Sequence, residues 1–194
     1  GTNGHWIIYK AFQDEVPILS GAVPVAGWTR HAGDIWKARL VRDKKLRALY
    51  VNGKRAVMAR RPQGVFGQGG YGTFHITGQE PWASTAGTEY AWIKFKPEEV
   101  GVYNNPRNVE LFQSNVWSEP ILCVEDMFSE EGYTVVLLQQ PYGAIALNMS
   151  WVPFRATPRP DRPIYIRNAY ELLDEPGEFY FDDQTHMLYY YSRG

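Results

Sequence analysis

The chain has 194 residues, with 20 basic and 21 acidic side chains and a formal charge of −1: long enough for one sizeable core, with no net field to attract nucleic acid or an anionic membrane. A single cysteine, Cys123, excludes an intramolecular disulfide and any multi-cysteine metal site. No apolar run reaches the length of a membrane span, no stretch reads as a signal peptide, and the 15% aromatic content, with seven Trp and thirteen Tyr, points to a β-rich fold.

Residues 5–12 form a β-prone run centred on Trp6, Ile7, Ile8 and Tyr9, and residues 17–19 a shorter one beyond Asp14 and Glu15. Ser20, Gly21, Pro24 and Gly27 break the next stretch into short pieces. A polar turn follows Trp28, then a brief strand over 36–40. Alternation becomes clear where Leu46, Ala48 and Tyr50 oppose Arg47, Leu49 and Val51 before Asn52-Gly53. A type I′ turn needs positive φ at both central residues, which Asn-Gly supplies, so the spacing predicts a hairpin over 46–61. Its basic residues, Lys44, Lys45, Arg47, Lys54, Arg55, Arg60 and Arg61, are expected to form a solvated strand face rather than a nucleic-acid stripe.

Gly67, Gly69 and Gly72 satisfy G-x-G-x-x-G, but the segment that follows, 73–77, is β-prone and no phosphate-loop Lys-Ser/Thr is present. The dinucleotide fingerprint needs a helix there, so no cofactor is expected. Over 89–96, Ala91, Ile93 and Phe95 alternate with Tyr90, Trp92 and Lys94, giving a strand with one apolar and one amphipathic aromatic face. Residues 97–100 can make a helical turn. Strands are predicted at 109–112, 121–127 and 133–139, with Gly132 in the last turn, and their continuous apolar character implies burial on both faces. Cys123 then reads as a buried, inert thiol. Pro153, Pro158, Pro160 and Pro163 mark a crossing loop before 164–166.

The chain converges on its C-terminal stretch. Asn168 and Glu171 have capping-box spacing, which predicts a short helix from there; Pro176 ends it and Gly177 permits the left-handed turn beyond. Residues 178–182 and 187–191 read as a hairpin around Asp183, Gln184 and Thr185. Aromatic residues stand at both parities, Phe179 and Phe181 against Tyr180, Tyr189 and Tyr191 against Tyr190, so each face needs cover. The expected fold is all-β: an antiparallel sandwich or barrel with a short helical turn near 168–174.

Three blocks carry a family resemblance: Tyr9-Lys10-Ala11-Phe12 with Glu15, Pro17 and Leu19-Ser20-Gly21; the run from Leu49 through Asn52-Gly53 to Arg55, with Ala59-Arg60; and the run from Glu171 to Tyr180 continued by Leu188 to Tyr191. Together they resemble right-handed parallel β-helix carbohydrate-active enzymes, in particular the insertion domain of proteins like glycoside hydrolase family 141. The resemblance implies fragments of the start of a β-helix in 1–45, an inserted antiparallel β domain over 46–163, and a capped turn with aromatic hairpin returning to the β-helix over 164–194. It also implies a bacterial, extracellular or periplasmic setting, a polysaccharide or oligosaccharide partner, and the rest of the β-helix enzyme as a second partner.

Catalytic carboxylates of such enzymes are expected on β-helix coils, so this chain is not expected to act alone. Glycoside hydrolysis needs two carboxyl groups roughly 5–9.5 Å apart, one with a raised pKa. Asp174, Glu175 and Glu178 are the candidates by density, although Asp-Glu-Pro-Gly-Glu also makes a helix exit with its charges in water. His5, His31, His75 and His186 lack metal-ligand spacing, so no metal is expected. Ser20 and Ser114 lack a nucleophile elbow. For sugar stacking, Tyr71 in the glycine loop and Trp82 in a Pro/Ser/Thr/Gly loop are the candidate exposed rings; Trp92, Trp117 and Trp151 read as core. The expected role is a non-catalytic β domain that braces the β-helix or shapes its cleft. The alternatives are an autonomous carbohydrate-binding module or a small glycoside hydrolase.

Overall fold

The computed structural model describes residues 3–42, 45–61, 91–113, 120–148 and 164–194. Its strands are β1 (Thr29–Ala32), β2 (Ile35–Arg39), β3 (Tyr50–Val51), β4 (Lys54–Arg55), β5 (Val57–Met58), β6 (Arg60–Arg61), β7 (Trp92–Phe95), β8 (Glu110–Gln113), β9 (Ile121–Glu130) and β10 (Tyr133–Leu138). A seven-residue helix, α1 (Tyr142–Asn148), precedes β11 (Ile164–Arg167), β12 (Glu178–Asp182) and β13 (Met187–Tyr191). Short 3-10 turns lie at Pro106–Asn108 and Tyr170–Leu172. Among the described residues the fold is all-β apart from these helical pieces, and none of the sheets closes into a barrel.

Among the described residues, three sheets result. One runs β1-β2-β13-β12-β5, one runs β6-β11-β8-β9-β10-β7, and β3 pairs with β4 alone. All pairings are antiparallel except β12 with β5. The Asn52-Gly53 turn has φ of 51° and 73°, as a type I′ turn requires. The returning arm is not one strand, however. β4 pairs back on β3, β5 joins the first sheet and β6 the second, so residues 54–61 stitch the three sheets together.

The C-terminal hairpin is the wall shared by two cores. Phe179, Phe181, Leu188 and Tyr190 pack with Leu46, Leu49 and Ala56 on one side. Tyr180 packs on the other, with Ile93, Phe95, Leu111, Val136 and Ile166 from the six-stranded sheet. Aromatics at both parities are therefore covered on both faces. Phe179 and Phe181 are each 1% exposed, worth about 1.5–3 kcal/mol apiece relative to exposure.

Several local expectations are corrected. Asn168 is not a helix cap: its φ is 64° and its side chain makes no bond to the helical turn, which starts after Ala169. Instead Nδ2 donates to the Asn108 carbonyl oxygen at 2.9 Å, because Asn168 is buried where that carbonyl needs a donor. Residues 5–12 and 17–19 form no strand and are exposed, with no strand to pair with among the described residues. The supposed polar turn after Trp28 contains β1, an exposed edge strand with no alternation to betray it. Strand β9 buries Leu122, Val124 and, beyond a register shift between Val124 and Asp126, Met127; Cys123 lies between the first two on the opposite parity and is only half-buried. Helix α1 was not signalled by periodicity over so few residues.

The glycine loop 64–72 with Tyr71, the segment 73–77, Trp82, Trp117, Trp151, His75, Ser114, Lys44 and the proline-rich 153–163 lie outside the described residues.

Candidate functional site

A groove of about 1390 Å³ opens between residues 20–25, the end of β2 and the 46–52 arm of the hairpin. Trp28 and Tyr190 meet edge to face in its wall, centroids 6.4 Å apart, and the Trp28 indole donates to the Val25 carbonyl oxygen at 3.1 Å. Trp36 and Tyr50 line the groove while 38% and 61% exposed. Ser20, Arg42, Asn52 and Ser192 place polar groups around these rings. Apolar ring faces beside a polar rim can accept the C–H face of a pyranose and hydrogen-bond its hydroxyls.

The candidate carboxylates at the hairpin entrance serve the backbone and neighbouring cations. Asp174 pairs with Arg61 at 2.9 Å. Glu178 does not point to water: it is 3% exposed, and its Oε2 accepts from the amides of Asp174 and Glu175 at 3.3 and 3.2 Å, closing the turn at Gly177, whose φ is 97°. Glu175 is exposed.

A second aromatic group flanks the same hairpin. Tyr170 and His31 each lie 5.1 Å from the Tyr189 ring, and the His31 Nε2 is 3.1 Å from the Tyr170 hydroxyl. Burial pushes the Tyr180 phenol, 6.0 Å from Tyr189, up to about 12.

The strongest electrostatic feature joins residues far apart in the sequence. Glu110, fully buried at the start of β8, receives Arg47 Nη1 on both oxygens at 2.6 and 2.7 Å, Arg167 Nε and Nη2 at 2.9 Å each, and Lys45 Nζ at 3.5 Å. Burial pushes its pKa up, but the Arg47 hydrogen bond and the charges of Arg167, Lys45 and Arg47 outweigh that and hold it below the ordinary carboxylate value. Lys45 and Arg47 thus converge on a buried anion, where a solvated basic face was expected. The one available signal was an acidic residue inside the apolar strand 109–112, which demands a cation. Its partners lie 57 to 65 residues away along the chain.

Among the described residues, no group of three His, Cys, Asp or Glu side chains could hold a metal, and no helix is long and apolar enough to cross a membrane. The candidate rings Tyr71 and Trp82 lie outside the described residues. Trp92 is half-buried, with the Lys94 ammonium 5.1 Å from its ring centroid.

A family model described as the GH141 insertion domain matches residues 33–193. A solved structure titled "Glycoside hydrolase" superposes with a TM-score of 0.66 at 24% identity, covering 90% of this chain and 29% of that one. The chain therefore spans less than a third of that protein's length. No curated protein is significantly similar.

Proposed function

Because the chain belongs to the GH141 insertion domain family, we propose that it is a non-catalytic β domain of a larger polysaccharide-degrading enzyme, bracing that enzyme's β-helix beside the substrate cleft. In this reading residues 1–45 supply the first turns of the β-helix, 46–163 form the inserted body and 164–194 return the chain. An extracellular or periplasmic bacterial setting goes with it. The observation that carries it is the opening segment: Trp6, Ile8, Tyr9, Val16, Ile18 and Leu19 are 74–98% exposed. So many exposed apolar side chains in one segment mark a contact with another folded unit. Substituting Trp6→Ser and Ile18→Ser together is expected to lower the thermal midpoint of the full-length protein while leaving the isolated chain's midpoint unchanged. A full-length protein indifferent to both would overturn the reading.

The groove supports a second reading, an autonomous carbohydrate-binding module, because Trp36 and Tyr50 offer ring faces to it. A glycan array separates the two. Saturable binding by the folded chain, lost in Trp36→Ala or Tyr50→Ala, favours recognition; absence of binding favours bracing.

A further inference from the structure

A cavity of about 320 Å³ lies where the three sheets meet, and its charged lining is arginine throughout: Arg47, Arg55, Arg60 and Arg167. The chain brings these together by topology. Arg55 ends β4, Arg60 begins β6 and Arg167 ends β11, the last two facing each other in the antiparallel register. Arg47 arrives from the hairpin's first arm. Tyr165 supports the wall, with the Arg60 guanidinium 5.2 Å and the Arg167 guanidinium 6.0 Å from its ring centroid.

Among the described residues, Glu110 is the one carboxylate paired with Lys45, Arg47 and Arg167, so three cations share a single anion. Arg47 spends one nitrogen, Nη1, on Glu110 and keeps 52% of its side chain exposed. Arg55 is exposed and has no ion-pair partner among the described residues. Its carbonyl oxygen accepts from yet another guanidinium, that of Arg193, at 2.9 Å. Glu110 locks Arg47 and Arg167 at the back of the cluster, so these two guanidiniums are held in place before any ligand arrives, which lowers the entropy cost of binding, while Arg55 closes on the ligand from the exposed side.

We propose that this cavity binds the oxyanion of an acidic sugar, a carboxylate or sulfate group, with Arg55 and Arg47 as the contacting forks and Arg60 and Tyr165 as the flanking wall. Guanidinium forks match the paired oxygens of carboxylate and sulfate, and such charge-assisted pairs are the strong class of hydrogen bond. The volume suits one sugar residue rather than a chain segment. That the anion is carried on a glycan rests on the function proposed above; the anion site itself does not.

The test is calorimetric titration of the folded chain, at low and high salt, with inorganic sulfate, an oligogalacturonide, a sulfated oligosaccharide and a neutral oligosaccharide. Expected is saturable, salt-weakened binding of sulfate and tighter binding of one acidic oligosaccharide, with Arg55→Gln weakening both about tenfold. Lys10→Gln, which removes an exposed positive charge in the opening segment, serves as control and is expected to change neither. Which acidic oligosaccharide binds more tightly identifies the group. Sulfate binding without any oligosaccharide binding would keep the anion site and overturn its glycan ligand. No binding of any anion, or equal weakening by Lys10→Gln and Arg55→Gln, would overturn the site.

Discussion

Asn168 donates through Nδ2 to the Asn108 carbonyl oxygen at 2.9 Å, tying together residues 60 positions apart. The link continues: the Asn108 amide donates to the Phe181 carbonyl oxygen, and the Asn168 backbone amide to that of Ala59 at 2.8 Å. Four segments, those of Ala59, Asn108, Asn168 and Phe181, are therefore joined through two buried asparagines, between the core of the six-stranded sheet and the C-terminal hairpin. Asn168 also holds φ at 64°, a conformation Asn tolerates better than most residues.

Asn168→Ala removes the bond and puts a less tolerant residue in left-handed geometry. It is expected to cost about 2–4 kcal/mol, from one unfavourable backbone and from a buried carbonyl left with only its longer bond from Lys45 Nζ, at 3.3 Å. Asn168→Gly relieves the backbone part and is expected to cost less than Asn168→Ala. Urea denaturation of the three proteins checks the order, and equal losses would show that the backbone contributes nothing.

Glu110 makes stability depend on acid. Its folded pKa lies below the ordinary value of 4.5, so it contributes in full above the unfolded value and loses that contribution as pH falls through the folded one. Stability is expected to decline as pH drops below about 4.5, and Glu110→Gln to flatten that part of the decline. At neutral pH the same substitution leaves Arg47, Arg167 and Lys45 without their anion, at a cost of about 3–5 kcal/mol. Denaturation midpoints measured from neutral to acid pH test both signs together.

What could be read from the sequence was what local rules govern. Asn52-Gly53 needs only its own dihedrals, and its turn forms as expected although the strands it joins pair only over 50–55; the alternation of Ala91, Ile93 and Phe95 puts all three at 0% exposure. The aromatic hairpin was legible because its two strands adjoin, and its double-sided burial followed from parity. The family resemblance matched the insertion domain later found over 33–193. Long-range pairings escaped. The spacing of Asn168 and Glu171 satisfied a local motif, yet Asn168 bonds Asn108 and the Glu171 carboxylate accepts from the Asn104 amide at 2.9 Å. The arginine cavity escaped for the same reason, since Arg55, Arg60 and Arg167 meet only once residues 54–61 divide among three sheets. Trp36 and Tyr50 were passed over as sugar platforms because strand alternation does not say which face stays open.

The tyrosines give the opposite pH signature. Burial pushes the phenols of Tyr103 and Tyr180 up to about 12 from 10.0. A raised folded pKa means that their contribution is complete below the unfolded value and is lost as pH rises toward the folded one. Tyrosinate absorbance is expected to show a late-titrating class near pH 12 whose amplitude falls in Tyr180→Phe. That variant is also expected to lose less stability between pH 10 and 12 than the parent chain. An unchanged late amplitude would mean that Tyr180 ionises with the exposed tyrosines.

Gly143 marks where α1 closes against its sheet. Its amide donates to the Gln139 carbonyl oxygen at 2.9 Å, and a Cβ built there would lie 2.6 Å from the Leu138 Cβ and 3.4 Å from the Ala91 Cβ. Both neighbours are fixed by strand backbone, so neither can swing aside as the end of a long side chain could. Alanine normally favours a helix over glycine by about 1 kcal/mol. Here the overlap reverses the sign, and Gly143→Ala is expected to destabilise by about 1–3 kcal/mol, the range for overpacking. Leu138→Ala in the same chain leaves the Cβ in place, so it is not expected to rescue the variant, whereas Leu138→Gly would relieve the contact. A Gly143→Ala protein at least as stable as its parent would show that α1 can move off β10 without loss.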